Sequence, residues 1–134
     1  MNLNKLISGR MNRAPFVGYF FLILAARIAL GWVVLMNFKT FMNSSALLWI
    51  TNLIDVAISL VAVWALIKRL HDLNWPTILA FIPFIYALLG FDVLETEIPK
   101  LIFKWTMAAL IICCLFLKGD KGSNKYGPDP LEKK

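Results

Sequence analysis

Apolar residues fall in four long stretches, Phe16–Met36, Ala46–Ile67, Trp75–Phe91 and Leu101–Leu117, separated by short polar connections. Each is near the length of about 20 residues that a helix needs to cross a hydrocarbon layer of about 30 Å. Inside lipid a backbone must satisfy its own hydrogen bonds, so segments joined by such brief connections are expected to be helices. The pattern predicts an all-α integral membrane four-helix bundle, built as two antiparallel hairpins. One transmembrane domain would cover 1–134, with spans at about 16–36, 46–67, 75–91 and 101–117 and a tail over 118–134. Ahead of the first span, Met1, Leu3, Leu6 and Ile7 recur at helical spacing beside Asn4, Lys5 and Ser8, which suits a short interfacial helix. Pro15 and Pro99 sit where a first helical turn tolerates a missing N–H. Pro83 lies mid-span and should kink the third helix.

Composition agrees with lipid as the solvent. The 134 residues are 60% hydrophobic and 16% charged, against about 45–50% and about 25% in soluble domains. A soluble enzyme, a disordered tail and a disulfide-stapled secreted module are excluded on that ground. The net charge of +6 raises the question of nucleic acid, but the distribution of the cations answers it. With both termini inside, ten of the 14 Lys and Arg lie on the inner side, three (Lys39, Lys100, Lys104) lie outside, and Arg27 remains within a span. That asymmetry is the positive-inside signature of an N-in/C-in membrane protein, not a nucleic-acid footprint. Asp92, Glu95 and Glu97 cluster in the second outer loop. Trp32, Trp49, Trp75 and Trp105 fall near the interfaces as an aromatic belt. The apolar length of the first segment, its central arginine and the three spans that follow argue against a cleaved signal peptide. Cys113 and Cys114 are neighbours on a helix and are expected to stay reduced.

Two ionisable residues lie deep in spans. If the first two helices form a hairpin with inner ends near residues 15 and 67, positions at equal depth have numbers summing to about 82, as 27 and 55 do. Arg27 and Asp55 would then sit about 18 Å from the inner ends, too deep for the arginine to reach water alone. They are expected to pair, supported by a polar face of Asn52, Ser59 and Ala62 on the second helix and by Tyr19, Ile23 and Gly31 on the first. A structural latch is the first reading; a solute or proton pathway gated by the pair is the second.

Polar motifs gather on the inner side. Lys68-Arg69-Leu70-His71-Asp72 reads as a tight loop between the second and third helices, with His71 and Asp72 as a hydrogen-bonded pair that fixes it. One histidine beside one aspartate is too little for a metal site, and no substrate pocket for acid–base work is visible. The segments Gly9-Arg10-Met11-Asn12-Arg13, Arg69-Leu70-His71-Asp72 and Gly119-Asp120-Lys121-Gly122-Ser123-Asn124-Lys125-Tyr126-Gly127-Pro128-Asp129-Pro130 resemble the three hallmarks of the domain of unknown function 805 (DUF805, YhaH-type) family of small bacterial inner-membrane proteins. The resemblance implies four helices and an inner-membrane location, and it implies no activity.

All three motifs fall on one side of the membrane, so the tail is expected to fold back through Asn124, Tyr126 and Asp129 onto Arg10, Arg13, Arg69, His71 and Asp72 as a polar cytoplasmic cap. A basic patch for lipid headgroups is the competing account. The functional expectation is a multi-pass bacterial inner-membrane protein that is not an enzyme and acts as an interaction or structural module. Its partners would be the bilayer and either further copies of itself or another membrane protein, with no cofactor, no metal and no nucleic acid. The alternative is an oligomeric channel or small-solute transporter that uses Arg27 and Asp55.

Overall fold

The structure, a computed structural model, describes residues 8–82 and 97–132. Among these residues the regular structure is helical: α1 (Arg13–Met36), α2 (Phe38–Met42), α3 (Ser45–Asp72), a 3₁₀ turn (Thr77–Ala80) and α4 (Glu97–Phe116). The interfacial helix expected over 1–7, the kink at Pro83 and the outer acidic residues Asp92 and Glu95 lie outside the described residues.

α1 and α3 are long and apolar enough to cross a membrane, each with mean hydropathy 2.1 over its best 18-residue window. Their composition and the lipid-like exposure of Phe21, Leu22, Trp32, Trp49 and Leu53 suggest a membrane location. Polar side chains within the apolar helices turn inward on their own backbone: the Thr51 hydroxyl donates to the Leu47 carbonyl at 3.1 Å and that of Thr106 to Ile102 at 2.8 Å. The connection between α1 and α3 is tight. Asn37 ends α1, its side-chain NH₂ donating to the Val33 carbonyl at 2.9 Å. Ser44 then caps α3, its Oγ accepting from the Leu47 N–H.

Burial concentrates at one end of the molecule. Met11, Phe16, Ala65, Leu66, Ile67, Leu70, Leu73, Ala80 and Cys114 form one cluster, with Tyr19, Trp64, Trp75 and Leu110 packed against it. Every buried residue of α3 falls between Ala65 and Asp72. The close-packed core therefore sits where the polar motifs converge, and the other turns of α1 and α3 present apolar side chains outward.

Two expectations change here. Lys68 to Asp72 is not a loop: α3 continues through Asp72 and stops beyond it. The stop is a Schellman arrangement, in which the Trp75 N–H bonds to Leu70 O at 2.8 Å and the Asn74 N–H to His71 O at 3.2 Å, with Asn74 in the left-handed region at φ 58°. Hydropathy placed the boundary at the first cation, whereas the backbone ends at the residue able to reverse its handedness. The third apolar stretch also opens differently, with Pro76 extended and the 3₁₀ turn following it. Pro76 accounts for this, because its ring keeps Trp75 out of the helical region.

Asn74 is exposed, so its backbone can be tested without disturbing packing. Asn74→Gly should leave the unfolding free energy unchanged or slightly raised. Asn74→Val should lower it by about 1–2 kcal/mol, read as the midpoint of thermal unfolding in detergent.

Candidate functional site: a polar cap at the helix ends

The end of α3 presents Arg69 and Asp72, three residues apart, on one face, and His71 on another, because successive helical residues project about 100° apart. Asp72 points toward the N-terminal segment and the tail. Its side chain is 3% exposed and faces two guanidiniums. Arg10 approaches Oδ1 with Nε and Nη2, both at 3.1 Å. Arg69 donates from Nη1 to Oδ2 at 2.5 Å. Arg10, itself 1% exposed, also donates from Nη1 to the Gly122 carbonyl and from Nη2 to the Asp120 carbonyl.

Arg69 is fully buried and serves a second helix. Its Nε donates to Cys114 O at 2.8 Å, its Nη2 to Leu117 O at 2.5 Å, and its Nη1 also reaches Met11 O at 3.4 Å. Cys114 and Leu117 lie in and just after the last turn of α4, where carbonyls have no helical partner. A guanidinium there both satisfies them and meets the negative end of the helix dipole. Arg13 adds a longer bond to Phe116 O at 3.4 Å.

His71 and Asp72 do not bond to each other. The His71 Nδ1 lies 3.2 Å from Gly9 O, which can only accept, so Nδ1 carries the proton and Nε2 accepts from the Thr77 hydroxyl at 2.8 Å. The imidazole stacks on the Tyr126 ring with centroids 3.8 Å apart and planes 5° from parallel. Lys125 Nζ lies 4.9 Å from that ring's centroid. The Tyr126 hydroxyl donates to Trp75 O at 3.0 Å, and Asn124 Nδ2 donates to His71 O at 2.9 Å.

The tail holds its own shape while making these contacts. Asn124 and Gly127 exchange two backbone bonds of 3.1 Å, and Asn124 Oδ1 accepts from the Tyr126 N–H. Asp129, expected to reach the basic motifs, instead closes the tail on itself: Oδ2 accepts from the Gly122 N–H at 3.0 Å and Oδ1 from the Leu131 N–H at 2.9 Å. The Leu131 bond foremost, then the Gly122 bond, holds its carboxyl below the usual carboxylate range.

Arg10, Arg69, His71, Asp72, Asn124 and Tyr126 thus meet in one network, with Arg13 at its edge and Asp129 inside the tail. Composition and motif reading missed three contributors. The Asp120 N–H donates to the Asp72 carbonyl at 2.8 Å, Met11 N–H donates to Lys68 O at 2.9 Å, and Gly119 passes so close to Asp72 that a Cβ would overlap its carboxylate. Only the glycine had a visible signal, as a residue that does not continue a helix just beyond α4.

The second candidate pair lies far from this cap. Arg27 Nη2 is 3.6 Å from Asp55 Oδ1 and donates to Ser59 Oγ at 2.7 Å. The two charged side chains are 48% and 51% exposed within the chain. Tyr19 packs edge-on against Trp64, with centroids 5.4 Å apart, rather than joining the pair. Asn52 is exposed, with no side-chain hydrogen bond among the described residues.

Chemically, the cap is saturated. Both oxygens of Asp72 and both nitrogens of His71 are engaged, so neither is a free base. Among the described residues no group of three His, Cys, Asp or Glu is placed to hold a metal. The chain belongs to the family described as Protein of unknown function (DUF805), which it matches over residues 6–128, a range that takes in the first two motif segments and most of the third. No curated protein and no solved structure matches the chain.

Asp72→Asn leaves two buried guanidiniums facing a neutral amide and should cost about 3–5 kcal/mol of stability, whereas Glu132→Gln on the exposed tail should stay within about 0.5 kcal/mol. Circular dichroism melts of the detergent-solubilised protein measure both. Asp129 gives a pH dependence of known sign. Because its folded-state pKa is depressed, its contribution is complete above the ordinary carboxylate range and disappears as pH falls through the lower folded value. Tail protection in hydrogen exchange should therefore weaken on acidification, and Asp129→Asn should flatten that dependence.

Proposed function

We propose that this chain is a four-span bacterial inner-membrane protein with both termini in the cytoplasm, acting as a non-catalytic structural or interaction module. Its cytoplasmic cap sets the relative positions of the helix ends, and the outward apolar faces of the helices meet lipid and membrane partners. The observation that carries this reading is the saturation of the motif cluster. Residues arranged for turnover keep a base or nucleophile free for substrate, whereas Asp72 and His71 spend every polar atom on the chain itself. Four spans and the N-in/C-in orientation are supported by the four apolar stretches and the placement of the cations.

A second reading, an oligomeric channel or small-solute transporter, draws on the half-exposed Arg27–Asp55 pair. Ionised side chains within apolar helices commonly mark pathways. The hydrogen bond from Arg27 to Ser59 favours the latch, because it joins α1 to α3 directly.

Orientation is tested by single cysteines in a Cys113→Ser/Cys114→Ser background, labelled with a membrane-impermeant maleimide on spheroplasts. Ser45→Cys should react at once and Ser123→Cys only after lysis; the reverse order would overturn the topology. In proteoliposomes, the wild-type chain and an Arg27→Gln/Asp55→Asn variant should both show only the ion leak of empty vesicles. Flux through the wild type that the double variant loses would establish the pathway instead.

A further inference from the structure

Beside the saturated network lies a cavity of about 340 Å³ that the cap does not use. Its walls are the start of α1 with Arg13 and the chain after α4 with Lys118, Asp120 and Lys121, closed by Asp72 and Asp129. Three cations reach it, and two of them have no other employment: Lys118 and Lys121 make no ion pair among the described residues. Of the three carboxylates, Asp72 is neutralised by Arg10 and Arg69, and Asp129 has both oxygens on backbone N–H groups. Backbone N–H groups carry no net charge, so Asp129 remains an anion like Asp120; counted with Arg10 and Arg69, the five cations at the cavity still outnumber its three carboxylates and leave a positive excess.

A second feature is independent of charge. Asn12 occupies the N-cap of α1 but makes no capping bond, and its side-chain Oδ1 is buried without any partner. A buried amide end with no hydrogen bond is costly. Next to it, the N–H groups of Arg13 and Ala14 have no acceptor from a capping side chain. Donors and uncommitted cations thus converge on one cavity from two elements.

We infer that this cavity binds a phosphate group, carried either by an anionic phospholipid headgroup or by a soluble phosphate ester. The phosphate oxygens accept from the uncapped α1 N–H groups, while Lys118, Lys121 and Arg13 neutralise the charge. The lipid source rests on the membrane topology proposed above, which sets the start of α1 and the end of α4 at the level of the inner headgroups; the phosphate chemistry does not depend on it.

The test uses the full chain, with thermal unfolding followed by tryptophan fluorescence. In neutral detergent, sodium phosphate is titrated against sodium chloride at matched ionic strength, which removes general screening. In a parallel arm the chain is placed in nanodiscs of phosphatidylcholine alone or with increasing phosphatidylglycerol. A saturable rise in Tm with phosphate identifies the soluble source, and a rise confined to phosphatidylglycerol identifies the headgroup. In either case Lys118→Gln/Lys121→Gln should weaken the apparent affinity about 25-fold, about fivefold for each lysine. Lys125→Gln, in the same tail but outside the cavity, should bind as the wild type does. Asn12→Asp should raise Tm without ligand, because an acidic N-cap suits α1, and yet abolish the ligand-dependent rise, a split that a purely structural role does not produce. No rise in either arm, or a rise that survives both Lys118→Gln/Lys121→Gln and Asn12→Asp, would overturn the assignment. The orientation from maleimide labelling has no bearing on the phosphate arm, so the two readings fail separately.

Discussion

The Asp72 carboxylate, buried between Arg10 and Arg69, is the interaction on which the arrangement of the chain ends depends. Each guanidinium carries a different piece of chain to it: Arg10 brings the segment before α1 and, through the Asp120 and Gly122 carbonyls, the tail, while Arg69 brings the end of α4. One anion between two cations leaves a net positive centre, which the carbonyls of Cys114, Leu117, Met11, Asp120 and Gly122 surround with the negative ends of their dipoles. Desolvating such a group is costly unless all donors are used. Here the arginine forks are turned onto backbone oxygens that helix termination would otherwise leave bare, so the ions and the helix ends satisfy each other.

This exchange explains why burial is so uneven. At the cap end, water competes for every polar group, and apolar side chains gain from contact with one another; Leu70, Ala65, Ala80 and Cys114 are closed off accordingly. Along α1 and the first two-thirds of α3, the residues that would form a core in water face outward instead. Lipid gives apolar side chains no hydrophobic reason to leave it. Helix association in that region falls to packing and to the few polar contacts available, such as Arg27 with Asp55 and Ser59.

How much could be read in advance depended on what kind of group carried each contact. The Arg27–Asp55 approach was legible because two helices joined by a short connection have a fixed register, and register converts residue number into depth. The meeting of the three motifs at one end was legible for the same reason, since two apolar stretches separate each motif from the next. The end of α3 was not. Hydropathy changes at Lys68, but helix termination is decided by Asn74 accepting a positive φ and by the bonds from Trp75 and Asn74 back to Leu70 and His71. Adjacent His71 and Asp72 suggested a pair, yet neighbours in a helix diverge, and each found partners more than 60 positions away in sequence. Asp120 and Gly122 escaped notice because they act through main-chain atoms, which have the same chemistry in every residue.

The two ion pairs differ in a way that bears on what each can do. Asp72 has its charge compensated twice and is closed to solvent, so changing its state disturbs four segments at once; that rigidity suits a fixed scaffold. Arg27 and Asp55 touch through one nitrogen and one oxygen, 3.6 Å apart, with half of each side chain uncovered. A single contact of that length is easily exchanged for another partner of either charge. Opening it leaves the Arg27–Ser59 hydrogen bond between α1 and α3 in place, and the cap holds the helix ends regardless. The loosely held ion pair of the chain therefore lies at Arg27, and the one that fixes the helix ends lies at Asp72.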